Sequence, residues 1–298
     1  MNFRTRLAVV VAALAVALPA TQAQAITNGR PDGNGHPYTA LMQAMNSDGV
    51  PIWVCSGSLL SPTLFLTAGH CVDAPAAHVE VWVDTGPIQP DIDYLLALFT
   101  DPTFSGSCNA SAAFDGYPCH GDAGGAPHPH PDFCEGCGQG LPHEVYRDVG
   151  VVTLDHPVPA SRVGRYAQLA TAGQVDTLAN KAPVDLVGYG VSDQADIPGK
   201  YFPQPPPFFR WGGAGLRRYA PSELVSGDFA HSDEFMRFSA QGGGTCFGDS
   251  GGPDVLGGTD TVVAVNSYVT NANCAGVVYS QRVDIAPVRD WILGFMRP

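Results

Sequence analysis

The stretch Gly248-Asp249-Ser250-Gly251-Gly252-Pro253 places one serine inside a run of glycines, near the end of the 298-residue chain. A serine hydroxyl is a weak nucleophile until a base removes its proton and hydrogen-bond donors stabilise the resulting oxyanion. Glycines around Ser250 allow backbone N–H groups to converge on such an oxyanion. Gly-Asp-Ser-Gly alone is also an ordinary loop sequence, but the complete six-residue string rarely occurs by chance. The stretch therefore predicts a nucleophilic serine.

A candidate general base lies upstream, in Leu66-Thr67-Ala68-Gly69-His70-Cys71 at the end of a predicted strand. Histidine is the side chain best suited to act as a base near neutral pH. Taken alone, His70 fits a structural role better than a catalytic one. Its cysteine neighbour changes this balance, because a bridge to Cys55 across a predicted hairpin would pin the loop that carries the histidine.

A candidate acid lies between these two motifs, where Asp148 enters the apolar run Val149–Leu154. A carboxylate at the start of a buried strand can accept a hydrogen bond from an imidazole and hold its tautomer. An aspartate before a strand is commonplace. Its place in the order His70, Asp148, Ser250 makes it a candidate for the third catalytic residue.

These residues resemble the trypsin/chymotrypsin family of serine peptidases over residues 26–298, apart from two insertions. The resemblance rests on the order of the three residues and on Thr-Ala-Gly-His-Cys and Gly-Asp-Ser-Gly-Gly-Pro around two of them. It implies an all-β fold of two packed antiparallel six-stranded β-barrels with a C-terminal helix. It also implies that Ser250 is the nucleophile, His70 the base and Asp148 its orienting partner, with the N–H groups of Gly248 and Ser250 as the oxyanion hole.

Two further points come from the same resemblance. The family's histidine motif usually has alanine where this chain has Gly69, a departure that should not disturb the base. Residues 26–29 read Ile-Thr-Asn-Gly and resemble the family's Ile-Val-Gly-Gly start, whose freed α-amino group pairs with the aspartate before the nucleophile. Here that pair is Ile26 and Asp249, and a buried carboxylate needs such a partner.

Residues 1–25 have the pattern of a secretory signal peptide, and we expect the protein to be secreted. A positively charged start is followed by an apolar run and by the small-x-small sequence Ala23-Gln24-Ala25. Cleavage directly before Ile26 would generate the active N-terminus without a separate activation step. Cleavage after Ala23 would instead leave two extra residues and a latent enzyme.

The primary specificity pocket is predicted by alignment to the family. Gly244 falls at its base, where trypsin-like members carry aspartate, so no preference for Lys or Arg is expected. Val269 and Val277 replace wall glycines of chymotrypsin-like members and narrow the slot, as in elastases, which predicts small aliphatic residues such as Ala or Val before the cut. Ser267 should also support Asp148 by a hydrogen bond. The residues expected to bind substrate are Gly244, Thr245, Ser267, Tyr268, Val269 and Val277.

Short apolar runs separated by turns predict an all-β chain. They divide it into a first barrel at about 26–155, a second barrel at about 160–283 and a helix at about 284–297, with Asp284 as a candidate N-cap. Two Gly- and Pro-rich stretches, about 101–143 and 192–214, are predicted to be long surface loops.

The eight cysteines predict disulfides, because export favours oxidation. The expected bridges are Cys55–Cys71, Cys246–Cys274 (which matches a family bridge) and two within the first insertion. For the insertion, Cys108–Cys119 with Cys134–Cys137 is the local option. A zinc site is the alternative, since Cys134 and Cys137 have metal-ligand spacing and four histidines lie nearby: His120, His128, His130 and His143.

The net charge of −13 argues against nucleic acid as a partner and gives no reason to expect attraction to anionic membranes. We expect protein or peptide substrates, a monomer and no cofactor. A binding module that kept the fold and lost turnover is the alternative function, and the intact triad argues against it. An esterase of the α/β-hydrolase class does not fit, because that class has the order Ser, acid, His.

Overall fold

The structure is a computed structural model and describes residues 26–137, 145–194, 211–212, 214–225, 231–240, 243–271 and 274–296. The predicted signal peptide lies outside these residues, as do His143 and most of the second predicted insertion. Within the described part of the chain, no helix has the length and apolar character needed to cross a membrane.

Nine described strands lie before residue 155, and a closed antiparallel barrel is built from some of them. The nine strands are β1 Arg30–Pro31, β2 Thr39–Met45, β3 Pro51–Ser61, β4 Leu64–Thr67, β5 His78–Trp82, β6 Ala123–Pro129, β7 Cys134–Glu135, β8 Val145–Tyr146 and β9 Gly150–Leu154. Six of them close in the order β2-β3-β4-β9-β6-β5. Strand residues such as Leu59, Phe65 and Val79 are fully buried and belong to the hydrophobic core of this barrel.

Nine described strands lie after residue 160, and all but two of them belong to a second, curled sheet. The nine strands are β10 Gln168–Leu169, β11 Pro183–Gly188, β12 Asp193–Gln194, β13 Trp211–Gly212, β14 Arg218–Glu223, β15 Phe235–Ser239, β16 Pro253–Leu256, β17 Thr261–Val269 and β18 Val277–Arg282. The two exceptions, β12 and β13, pair only with each other. The curled sheet runs β1-β14-β11-β16-β17-β18-β15, and β10 joins β17 in parallel. Its ends approach each other at the isolated bridge Leu224↔Phe238. The predicted all-β fold is therefore confirmed. The first barrel is closed by continuous strand pairing, whereas the ends of the second sheet meet at one isolated β-bridge.

The helices are α1 Gly69–Val72, α2 Ile92–Thr100, α3 Ala160–Val163 and α4 Ala286–Met296, with 3-10 turns at Cys108–Ala110 and Val175–Thr177. The predicted C-terminal helix is confirmed, and its Trp291 packs on His130 of the first barrel. Asp284 is not its N-cap. The Asp284 carboxylate is buried, accepts a hydrogen bond from the Val175 N–H and pairs with Arg282 at 2.9 Å.

The first predicted insertion, residues 101–143, is not a loop throughout. Its residues 123–129 form β6, which pairs with both β5 and β9 and closes the first barrel. Pairing with β5 ends at Gly125, so Pro127 and Pro129 lie where the strand has a neighbour on one side only. Proline lacks an N–H and is tolerated at such edge-like positions, which explains why this Gly- and Pro-rich stretch does not look like a strand.

A carboxylate stands unpaired in the core of the second barrel. Asp254 on β16 is fully buried and lies opposite Leu186 and Ala264 in the sheet. Neither of its oxygens has a partner that meets hydrogen-bond geometry. Burial raises the pKa of Asp254 well above its usual value, and the nearby Ser280 hydroxyl offsets only part of this shift. The folded protein therefore retains a proton on Asp254 at pH values where the unfolded chain has released it.

We predict that Asp254→Asn makes the free energy of unfolding less dependent on pH. The folded-state pKa of Asp254 is raised, so the wild-type protein loses stability as the pH rises above the unfolded pKa of about 4. The variant cannot titrate there, so its advantage in stability over the wild type should grow as the pH rises from 4 towards 7. Urea titrations at several pH values measure the difference. Asp115→Asn, at an exposed position, is the control, and equal pH dependence in all three proteins would refute the prediction.

Candidate active site

Strand pairing in the first barrel brings the predicted base and acid together. Thr67 at the end of β4 lies opposite Gly150 at the start of β9. His70 follows the first of these strands and Asp148 precedes the second, so both leave the barrel at the same point. His70 Nδ1 lies 2.9 Å from Asp148 Oδ2, and the His70 backbone N–H donates to Asp148 Oδ1 at 2.9 Å. The carboxylate thus fixes both the ring and the backbone of the histidine.

Asp148 is fully buried, and its charge is met by hydrogen bonds. The Ser267 hydroxyl donates to Asp148 Oδ2 at 2.5 Å, as the sequence predicts. Burial alone would raise the pKa of Asp148, but the charge and hydrogen bonds of His70, together with Ser267, hold it below its usual value. Burial likewise opposes the charged form of His70, yet Asp148 outweighs it and the pKa of His70 is raised.

We predict that Asp148→Asn lowers the pKa of His70. With the negative charge of Asp148 gone, burial disfavours the imidazolium and only the charge of Glu135 still opposes it. An NMR titration of the ring should give a pKa above 6.5 in the wild type and a lower one in the variant. Ser267→Ala is the matched control, because it removes a hydrogen bond from the same carboxylate and keeps the charge. A His70 pKa that does not move in Asp148→Asn would contradict this account.

The predicted nucleophile is held against the same strand that anchors the histidine. The Ser56 N–H donates to the Ser250 carbonyl at 2.8 Å, and the adjacent Cys55 is bonded to Cys71, next to His70. Gly251 has φ +76°, and a Cβ there would lie 2.0 Å from the Thr67 hydroxyl. Only glycine therefore lets the Ser250 turn approach β4 this closely. No hydrogen bond joins Ser250 Oγ to His70 within the described residues.

The two predicted oxyanion donors are unengaged. In the described part of the chain, neither the Gly248 N–H nor the Ser250 N–H donates to another group. Gly248 has φ +92°, and its carbonyl accepts from the Ser56 hydroxyl at 2.9 Å. The turn therefore uses the carbonyl of Gly248 for its own support and leaves both N–H groups available to a ligand.

Ile26 and Asp249, the predicted activation pair, are both fully buried and lie in contact. Asp249 accepts backbone hydrogen bonds from Cys246 at 2.9 Å, from Gly190 at 2.8 Å and from Ile26. Even so, burial raises the pKa of Asp249 to about 7. A Cβ on Gly188 would lie 2.2 Å from Asp249 Oδ1, so the site is closely packed around the carboxylate.

A cavity of about 190 Å³ opens beside Ser250. Four of the predicted substrate-binding residues line it: Thr245, Ser267, Tyr268 and Val269. Gly244 and Val277 are not among its lining residues. Gly244 is instead bridged to Thr27, and a Cβ there would point at Ala240 and Val278 in the second core. Of the two valines expected in the pocket wall, Val269 is the one that lines this cavity.

Three of the four predicted disulfides are present: Cys55–Cys71, Cys108–Cys119 and Cys246–Cys274. The predicted Cys134–Cys137 bridge is wrong, because both residues are free thiols. Each sulfur lies against a backbone carbonyl, Cys134 Sγ 3.8 Å from the Glu135 oxygen and Cys137 Sγ 3.7 Å from the Cys134 oxygen. The alternative of one zinc site for all four cysteines fails as well, since Cys108 and Cys119 are bonded to each other.

Three residues that sequence reasoning missed support the site. Gln281 accepts a hydrogen bond from the Asp148 N–H at 3.0 Å, and Ser56 binds the turn of the nucleophile. Phe133 explains the glycine in the histidine motif, since a Cβ on Gly69 would lie 2.8 Å from its ring. No local motif marks these residues, because each acts across a long sequence separation.

Two packed β-barrels, with a His–Asp pair and a glycine-rich serine turn between them, define the chymotrypsin-like class of folds. The trypsin family model matches residues 26–91 and 129–292, and the chain belongs to the trypsin family. A solved structure titled "HL collagenase structure at 1.7A resolution" is similar to it, with 21% sequence identity and a TM-score of 0.63. That match covers 91% of this chain and 98% of the other and concerns the fold. Among curated protein sequences no match was found.

Proposed function

We propose that the chain is a secreted serine endopeptidase that hydrolyses peptide bonds through an acyl-enzyme intermediate. The observations that carry this proposal are the buried Asp148, which fixes the ring of His70, and the close packing of Gly251, next to Ser250, against Thr67 and Ala68 of the histidine motif. His70 takes the proton of Ser250 as the oxygen attacks the scissile carbonyl, and the N–H groups of Gly248 and Ser250 stabilise the oxyanion. His70 then gives the proton to the leaving amine and later activates the water that hydrolyses the ester.

The primary specificity proposed is for small aliphatic residues before the cut. The cavity beside Ser250 has no charged residue in its lining, so it offers no counter-charge to Lys or Arg. Val269 in its wall leaves less room for an aromatic ring than glycine would. Tyr268 lies flat against Tyr279, with ring centroids 4.8 Å apart, which supports the adjoining wall.

We predict that the mature protein cleaves peptides after Ala or Val in preference to Phe, Lys or Arg. The assay is a peptide panel that varies only the residue before the cut. Ser250→Ala, the control for contaminating proteases, should reduce kcat by about 10⁴-fold or more. Cleavage after Phe or Lys would support the proposed peptidase activity but overturn the proposed preference for small aliphatic residues. No cleavage by a correctly processed protein would favour the binding-module alternative.

Export and activation are part of the same proposal. The family match begins at Ile26, immediately after the predicted signal peptide. Removal of residues 1–25 would place an α-amino group where the Ile26 N–H now donates to Asp249. A positive charge there would stabilise the ionised carboxylate against the burial that raises its pKa.

We predict that active protein begins at Ile26, since only that start places a charged amine beside Asp249. N-terminal sequencing of secreted material measures the start directly. A form retaining Gln24 and Ala25 should be inactive, because its first amine falls outside the buried site. Full activity in that longer form would contradict the proposal, as would a fully active Asp249→Asn variant.

A further inference from the structure

A second cavity, of about 320 Å³, lies on the other side of the nucleophile turn. None of its lining residues is charged, and most are apolar or aromatic. Gly248 lies at its edge, and Tyr189 and Leu41 form part of its wall. Its volume falls in the range of roughly 300–1,000 Å³ that is typical of pre-formed ligand pockets, so it is large enough for one bulky side chain.

The position of this cavity relates it to one part of a bound peptide. The first cavity is lined by Ser250 and residues 266–269, and the second by Gly248 and residues 189–191. Phe247 is shared by both, and its side chain is 52% exposed, so it forms a ridge between them. A peptide whose residue before the cut fills the first cavity and whose carbonyl meets the Gly248 N–H must continue past this ridge. The residues after the scissile bond therefore pass the second cavity.

One part of the wall of this cavity comes from a segment that the family model does not match. Tyr117 belongs to residues 92–128, which the family model does not match. Its backbone carbonyl accepts from the Asp91 N–H at 2.7 Å, and its ring meets Trp82 edge-on at 5.4 Å. Contacts with neighbours in the first barrel therefore hold Tyr117 in place.

On the opposite side of the cavity, two backbone hydrogen bonds link the wall residues Ile88, Gly215 and Tyr189. The Ile88 N–H donates to the Gly215 carbonyl at 2.8 Å, and the Gly215 N–H donates to the Tyr189 carbonyl at 2.8 Å. A Cβ on Gly86 would lie 2.3 Å from the Gly215 oxygen, so the two segments are in close contact. Tyr117 of the first predicted insertion and Ala214 of the second therefore line the cavity together with Leu41 and Val54 of the first barrel.

We propose that this cavity binds a large apolar side chain, such as Leu, Met or Phe, carried by one of the first two residues after the scissile bond. The proposal rests on the proposed peptidase function and names a second element of its substrate class. Tyr117 and Ile88 are the specificity-determining residues. Because this part of the substrate departs with the leaving amine, the contact accelerates acylation and leaves deacylation unchanged.

The test compares peptides that are identical before the cut and carry Ala, Leu, Phe or Glu at each of the two positions after it. A peptidyl anilide with no residue beyond the bond reports catalysis alone. Leu or Phe at one of the two positions should raise kcat/KM about 10- to 100-fold over Ala. Tyr117→Ala and Ile88→Ala should remove most of this preference, while Tyr117→Phe retains it.

The control variant is Phe99→Ala, which removes an aromatic ring from residues 92–128, the same unmatched segment, at a position that is 80% exposed and outside the cavity. It should leave the preference unchanged. Equal cleavage of the Ala and Leu peptides, or a preference that survives in Tyr117→Ala and Ile88→Ala, would overturn the inference. A variant that loses the peptide and the anilide reactions equally would also refute a specific role.

Binding to the Ser250→Ala protein separates this inference from the proposed function. The dissociation constants of the same peptides can be measured on this protein without turnover, and the Leu peptide should bind about 10-fold or more tightly than the Ala peptide. If the wild-type protein cleaves the anilide but the Leu and Ala peptides bind equally well, the role of the cavity is refuted and the peptidase function is not. Tighter binding of the Leu peptide without any cleavage would refute the peptidase and keep the recognition site.

Discussion

The contact between Asp148 and His70 depends on a buried carboxylate, for which the fold must supply hydrogen-bond donors. A carboxylate with no exposed surface costs several kcal/mol unless polar groups surround it. Here its oxygens accept from the histidine backbone, the histidine ring and Ser267. These donors come from both barrels, since Ser267 lies on β17 of the second sheet. The need to satisfy one carboxylate therefore constrains how the two barrels are placed against each other.

The sequence was sufficient to predict those functional groups that are marked by the residues next to them. The glycine-rich turn around Ser250 and the cysteine beside His70 carry their information in adjacent residues. The strands around them were also predictable, because their apolar residues form short runs between turns. The pocket was less accessible to this reasoning. Whether Gly244 or Val269 lines a cavity depends on strand register, and a shift of one residue turns a side chain to the opposite face.

The insertions show where sequence patterns fail for a physical reason. β6 has two prolines and two glycines, a composition typical of a loop, yet tertiary pairing makes it a barrel strand. Helix α2 was missed although Asp91 caps it through the Tyr94 N–H. Cys134 and Cys137, which are free thiols, were predicted as a bridge because export favours oxidation and the two residues are close in sequence. In the structure the two side chains interact with each other but are not bonded, and spacing does not distinguish these two states.

Strand β3 connects the segment that carries His70 to the turn that carries Ser250. Neighbouring residues of a strand point to opposite faces, and Cys55 bonds to the histidine's neighbour while Ser56 binds the nucleophile's turn. Deleting or adding one residue here would exchange these two faces and break both attachments at once. Residues 92–128, in contrast, depart from the family pattern without disturbing either attachment. Changes of chain length are therefore tolerated beside this strand and excluded within it.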